Sequence, residues 1–381
     1  MFELTKSQMQ IKKAVKDFTK GEFKKEIVDA LIENCSFPDK IWKKAANLGF
    51  IGIHFPESYS GEGLGVFENT LITEELCRAD STIGFCLTRA GHGAELLVHF
   101  GNEDQKSNWL PKVAEATVLS SGAFSEPGSG HNVAGTQTTA HKIGEHWVVN
   151  GTKDFVINAG AQSGVYIVLC RTDESSEEQN GKLSLFLIES DRKGITVNDV
   201  GKRLGCRLSS IGEVCFEDVR IPKNSLIGME NKGLKQVTAY FTESRILSAA
   251  QSLGIAQGAF ERAFSYVKGR EQFGRKIVDF QVTRHKLAEM HTKIEASRLL
   301  TYQSALSFDS KKAKNISKMS AMAKLFACRA AVEVCDEAIQ LLGGYGYIQE
   351  YEVERYFRDA KMVEMLEGVR GFQKECCRRL L

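Results

Sequence analysis

Apolar positions recur at helical spacing through roughly the first 120 residues. Met9, Ile11, Val15 and Phe18 follow that spacing, and Ile41, Ala45 and Leu48 share one face of a segment over 37–48. Further helices are expected over 71–77 and 94–100. The period then changes. Residues 165–170, 183–188 and 213–221 are short runs rich in β-branched and aromatic side chains, separated by turn residues. In Trp147-Val148-Val149-Asn150-Gly151-Thr152-Lys153, Asn-Gly stands between two apolar runs and predicts a hairpin turn. An antiparallel β-domain is therefore expected from near Ser121 to near Gly228. Beyond it, apolar residues return at i, i+3, i+4 and i+7 over 241–264, 280–308 and 317–342, lengths that suit an antiparallel helical bundle. No proline follows Pro222, so the last third lacks the strongest helix breaker. The fold class read from pattern is α+β: a helical domain over 1–120, a β-domain over 121–228 and a helical bundle over 229–381.

A length of 381 residues agrees with two or three packed domains. Hydrophobic residues at 43% and charged residues at 26% are ordinary for a soluble globular chain. A net charge of +2 gives no electrostatic support to nucleic-acid binding. No run approaches the ~20 apolar residues of a membrane span, and residues 1–23 lack the apolar core of a secretory signal. Ten cysteines are scattered without a CxxC pair, and the adjacent Cys376 and Cys377 read as reduced thiols, which points to the cytoplasm. No metal site is expected.

Several motifs carry candidate chemistry, each with a plainer alternative. Gly61-Glu62-Gly63-Leu64-Gly65 follows a helix rather than a strand and reads as a structural turn, not a nucleotide fingerprint. Ser125-Glu126-Pro127-Gly128-Ser129-Gly130 can bring backbone N–H groups to a flat polar ligand, or is a surface turn. Arg270-Glu271-Gln272-Phe273-Gly274 between two long helices can hold a pyrophosphate and an adenine edge, or is solvated. Gln340-Leu341-Leu342-Gly343-Gly344-Tyr345-Gly346-Tyr347 has more glycine than a helix cap needs. Glu367 lies between Met365-Leu366 and Gly368-Val369. There, partial desolvation would raise its pKa and suit a general base; the alternative is a solvated helix-end glutamate.

Taken in order, these segments resemble the acyl-CoA dehydrogenase family. The segments 56–64, 124–130, 150–160, 205–209, 216–222, 270–274, 340–346 and 358–368 carry the resemblance and span most of the chain. It implies an N-terminal helical domain, a middle β-domain and a C-terminal four-helix bundle. It also implies FAD as cofactor and α,β-desaturation of an acyl-CoA thioester. Glu367 matches the family's base, directly before a glycine. A subgroup takes its base from the position of Ser244, before Arg245; serine cannot serve, and Glu243 is one residue off and would point elsewhere on a helix. Phe124, Ser125, Phe155, Val156 and Ile157 match flavin-ring contacts. Arg270, Gln272, Phe273, Phe280, Gln281, Gln340, Gly343 and Gly344 match contacts to the ADP half of FAD, often in a neighbouring subunit, which implies a homodimer or homotetramer. His131, Thr242, Ser244, Arg245 and Gly368 match positions near the pantetheine arm and substrate. The implied electron acceptor is an electron-transferring flavoprotein.

Departures from the family pattern accompany the match. Ile157 stands where a hydroxyl residue is usual, Phe155 where Trp is frequent, His131-Asn132 for Ser-Asp, and Val369-Arg370 for Thr and Ser or Ala. Acyl specificity is expected from 88–95 and 239–249, where Arg89 and His92 are unusual for an apolar pocket. Arg89 either recognises a polar or carboxylated acyl group or faces solvent. Alternatives to an acyl-CoA dehydrogenase are a dehydrogenase of carrier-protein-tethered acyl groups, a reductase, and a non-catalytic relative.

Overall fold

The computed structural model describes residues 3–160, 162–172, 182–311 and 315–378. Seven helices come first: α1 (Lys6–Glu22), α2 (Lys25–Glu33), α3 (Asp39–Asn47), α4 (Val66–Ala79), α5 (Ser81–Thr88), α6 (Glu95–Phe100) and α7 (Glu103–Ala114). Several starts are fixed by side chains. Thr5 and Gln8 form a reciprocal cap on α1, as do Asn102 and Gln105 on α7. Asp80 caps α5 through the N–H groups of Thr82 and Ile83.

The sheet follows: β1 (Leu119–Ala123), β2 (Thr139–Ile143), β3 (His146–Ile157), β4 (Ser163–Arg171), β5 (Leu183–Glu189), β6 (Ile195–Asp199), β7 (Ile211–Pro222) and β8 (Leu226–Ile227). The strand order is β6-β7-β3-β2-β4-β5-β8, and β2 meets β4 only at Thr139 and Arg171. Two expectations change here. The sheet is not wholly antiparallel, since β1 pairs with β4 in parallel. Asn150-Gly151 is not a hairpin turn either, because β3 runs straight through it. The register shifts between Val149 and Gly151, and Asn150 exchanges hydrogen bonds with Asp218 across the strands. The chain reverses instead just before His146, beside Gly144 at φ 59°. At Gly151 a side chain would lie 2.6 Å from the Thr138 hydroxyl, so glycine serves a bulge and a close approach.

The last part comprises α8 (Gly233–Gly269), a short hairpin of β9 (Glu271–Gln272) and β10 (Arg275–Lys276), α9 (Gln281–Asp309), α10 (Ile316–Leu342), α11 (Val353–Met365) and α12 (Arg370–Arg378). A continuous apolar core joins α8–α11 to Phe67, Leu71 and Phe85 of the first part and to Ile157 and Ile211 of the sheet. Buried acids lock the parts in register. Asp359 on α11 accepts from the Ser81 and Thr82 hydroxyls and the Cys206 N–H, and Asp80 pairs with Arg355 at 2.7 Å. Gly205 fits beneath this lock because a side chain there would meet the Arg358 carbonyl at 2.5 Å. The lock fixes α5 against α11, the two helices whose C-terminal ends build the site. No helix among the described residues is long and apolar enough to cross a membrane.

Candidate active site

Glu367 follows the end of α11. It takes a left-handed conformation, φ 54°, which is uncommon for a residue with a side chain, and Gly368 continues the turn at φ 104°. Two side chains brace the turn. The buried Lys324 ammonium donates to the Glu364 and Gly368 carbonyls at 2.9 and 2.8 Å, and Gln373 donates to the Glu367 and Gly368 carbonyls at 2.9 and 3.1 Å. The Glu367 side chain thereby points inward and is 4% exposed. The solvated alternative does not hold.

Its principal partner is Arg89, at the C-terminal end of α5, 278 residues earlier in the chain. The guanidinium is 1% exposed and donates to Glu367 Oε1 at 2.7 Å. Its remaining N–H groups reach the Ser244 and Ser248 hydroxyls and Gln251 Oε1, all from α8. Ser244 and Ser248 also donate to the two Glu367 oxygens. The backbone behind Arg89 is held by Asn158 at the end of β3, whose amide donates to the Arg89 carbonyl at 2.7 Å. Arg89 therefore does not face solvent.

The expected rise in the Glu367 pKa is also corrected. Burial pushes it up, but the Arg89 charge and the Ser244 hydrogen bond outweigh burial and hold the carboxyl below its ordinary value. Burial pushes the Arg89 pKa down, while Glu367 outweighs that and keeps the guanidinium charged. His92 is pushed down to about 4 by burial and by Arg89, and stands neutral at physiological pH. Glu243, next to Ser244, points away from Glu367 to His99 at 2.7 Å and His54 at 3.7 Å.

Other expected residues gather at this end of α8. Arg245 is buried against the Phe241 and Phe372 rings, and Phe372 packs beside Gly368 and within 5.8 Å of the exposed His131 ring. Thr242 bonds its own helix through the Thr238 carbonyl. Phe124 is buried against Tyr240, Phe241 and His92, and Ser125 accepts the Asp154 N–H at its carbonyl. A bulge between Lys153 and Val156 puts Phe155 at φ 52° and leaves its ring exposed, whereas Val156 and Ile157 are buried.

A second group lies apart, past the far end of α8. Arg270 sits over the Tyr345 ring at 5.8 Å, which joins the β9–β10 hairpin to the Gly343–Tyr347 turn. Phe273, at the hairpin tip, is 93% exposed. Phe280 packs against Phe273 and Arg275, and Gln272, Gln281, Gln340, Gly343 and Gly344 are exposed.

Three family descriptions match in order. "Acyl-CoA dehydrogenase, N-terminal domain" covers residues 5–117, the middle domain 121–219 and the C-terminal domain 231–380. The chain belongs to the acyl-CoA dehydrogenase family. It is 37% identical over 376 residues to the probable acyl-CoA dehydrogenase YngJ of Bacillus subtilis, covering 98% of this chain and 97% of that one. It is 34% identical over 366 residues to the caffeyl-CoA reductase-Etf complex subunit CarC of Acetobacterium woodii, covering 96% and 95%. The butyryl-CoA dehydrogenase structure from Megasphaera elsdenii matches with a TM-score of 0.92 at 33% identity, over 100% of this chain and 99% of that one. This acyl-CoA dehydrogenase is thus a flavin-dependent oxidoreductase. Sequence reasoning did not find Ser248, Gln251, Asn158, Lys324 or Gln373. Only the spacing of Ser244, Ser248 and Gln251 on one helical face carried a signal for any of them.

Proposed function

We propose that the chain desaturates an acyl-CoA thioester at its α,β-bond, with Glu367 accepting the α-proton. The observation that carries this reading is a carboxylate shielded from water on a braced left-handed turn. Arg89 keeps it ionised, the form that takes up a proton. Among the described residues no acceptor takes the Glu367 N–H, so it is free to donate to the thioester carbonyl as negative charge develops there. His131, Thr242, Ser244, Arg245, Gly368 and Arg89 would surround the substrate, with Arg245 and His131 towards the mouth.

The residues fit FAD. Phe155, turned out by its bulge, and Met365 and Val369 beside Glu367 leave apolar surface open for a flat ring. Phe124, Ser125, Phe155, Val156 and Ile157 would hold that ring. Bound FAD supplies the acceptor for the β-hydride. Arg270 lies 26 residues beyond Ser244, about 39 Å along α8 and too far to serve the same flavin. Arg270, Gln272, Phe273, Phe280, Gln281, Gln340, Gly343 and Gly344 would therefore grip the ADP half of FAD in a second copy, giving a homodimer or homotetramer. The exposed Phe273, Tyr345 and Tyr347 suit such an interface. CarC is named as part of an Etf complex, and an electron-transferring flavoprotein is the electron acceptor assigned here. Ten free cysteines fit a reducing compartment such as the cytoplasm. The working domain limits are 1–120, 121–228 and 229–381.

Anaerobic titration of the purified yellow protein with acyl-CoA thioesters tests the reading. Wild type should bleach. Glu367→Gln should retain FAD and reduce it about 10³-fold more slowly. Bleaching of Glu367→Gln at the wild-type rate would place the base elsewhere, and bleaching only by acylated carrier protein would assign the carrier-tethered substrate.

A further inference from the structure

The proton that Glu367 accepts creates a charge problem for its partner. Arg89 is buried, and the other groups that accept its hydrogen bonds, Ser244, Ser248 and Gln251, are neutral. Once Glu367 becomes a carboxylic acid, the guanidinium keeps its charge but loses the one carboxylate among the described residues that is bonded to it. A buried cation stripped of its counter-ion is strongly unfavourable. A neutral acyl group offers nothing to replace that carboxylate.

Space near Arg89 points the same way. The guanidinium fills the gap between the end of α5 and the first half of α8. The cavity beside the residues that flank Arg89, lined by Asn69, Thr88, Gly91, His54 and Glu95, has a volume of about 30 Å³. That is room for about one water molecule, not for a chain of methylenes.

We infer that the substrate is a short acyl thioester carrying a second, anionic group, and that this anion takes over Arg89 from Glu367. The inference deepens the dehydrogenase reading and rests on it. The α-carbon must lie within hydrogen-bond reach of Glu367, whose Oε1 is 2.7 Å from the Arg89 nitrogen. The guanidinium is then no more than about 6 Å from the α-carbon. A carboxylate at the far end of a four- or five-carbon dicarboxylic acyl group spans that distance. In the step itself Glu367 would take the α-proton, and FAD held by Phe124, Ser125, Phe155, Val156 and Ile157 would supply the acceptor for the β-hydride. The substrate carboxylate stays ionised on Arg89, so the buried guanidinium keeps an anion. Exchange on Arg89 also frees Glu367 from the charge that weakens it as a base, at the moment it must act.

The test compares CoA thioesters matched in length, the five-carbon dicarboxylic monothioester and pentanoyl-CoA, on the FAD-loaded enzyme. Wild type should favour the dicarboxylic thioester by about 100-fold in kcat/KM. Arg89→Gln should lose that preference, and Arg89→Lys should retain part of it. Calorimetric binding of the two thioesters to Glu367→Gln supplies a readout independent of turnover and of Arg89 variants; tighter binding of the dicarboxylic thioester is expected. Equal use of both thioesters by wild type, an unchanged preference in Arg89→Gln, or equal affinities would overturn the inference while leaving the dehydrogenase reading intact. Tight dicarboxylic binding without any flavin bleaching would uphold anion recognition and overturn the dehydrogenase reading.

Discussion

Glu74 on α4 and Glu367 past α11 are both buried carboxylates held ionised by nearby cations, yet their surroundings differ in kind. Glu74 is met by Lys12 of α1 at 3.2 Å, Arg298 of α9 at 3.2 Å and the Tyr302 hydroxyl at 2.5 Å. Those cations are 21% and 20% exposed, so their charged heads stay partly hydrated while their stems cover apolar surface. Every partner sits on a regular helix. Glu367 meets a cation sealed from water, and it stands on a left-handed residue held by side-chain braces. The first arrangement staples three helices and has no reason to open. The second is a closed pair in which one member can be replaced by a ligand of like charge. Burial alone does not separate structural from functional ion pairs; access of the cation to water and regularity of the backbone do.

The comparison can be broken by variants on each side. The largest effect on stability is expected at the staple. Glu74→Gln takes from Lys12 and Arg298 the carboxylate they share, leaving them Glu75 and Glu295, and should lower stability by about 2–4 kcal/mol, with kcat/KM per folded enzyme unchanged. Burial raises the Glu74 pKa, but Lys12, Arg298 and Tyr302 outweigh it and the net direction is down. A carboxyl whose folded pKa is depressed contributes stability above its unfolded pKa and loses it as pH falls through the folded value. The gap in melting temperature between wild type and Glu74→Gln should therefore shrink as pH is brought below about 4. A gap that persists in acid would mean that packing, not charge, holds this corner.

A smaller effect is expected at the braced turn. Lys324→Met removes a buried donor from the Glu364 and Gly368 carbonyls, leaving Gly368 only the Gln373 amide, and should cost about 1–3 kcal/mol. Unlike Glu74→Gln, it should also slow flavin reduction, because the turn aims Glu367. Loss of stability with unaltered reduction kinetics would show that the turn holds itself.

The finest distinction is in the pH profile. The active form of Glu367 is ionised, so kcat/KM for a neutral acyl thioester should fall only as pH drops through a pKa below the ordinary glutamate value. Arg89→Gln removes the opposing charge and leaves burial, which raises the pKa, so the acid limb should move to higher pH. A limb that stays in place would detach Arg89 from the control of this base.

Much of the fold was legible because it depends on local pattern. The proline-free last third gave its long helices, and β-branched runs marked β4, β5 and β7. Asn150-Gly151 shows the limit: the turn signal is genuine, but cross-strand partners made it a bulge. At the site, the apolar neighbours of Glu367 correctly announced burial, and the direction of its pKa was then reversed by a residue 278 positions away.

The sequence by itself determined the order of helices, strands and bundle, the family, and which carboxylate stands before the glycine, since each is written in residues close along the chain. Only the tertiary structure decided that Arg89 is sealed onto that carboxylate and that Lys324, Gln373 and Asn158 hold both in place. Electrostatic energy depends on distance through space and on exclusion of water, and neither is encoded in separation along the chain.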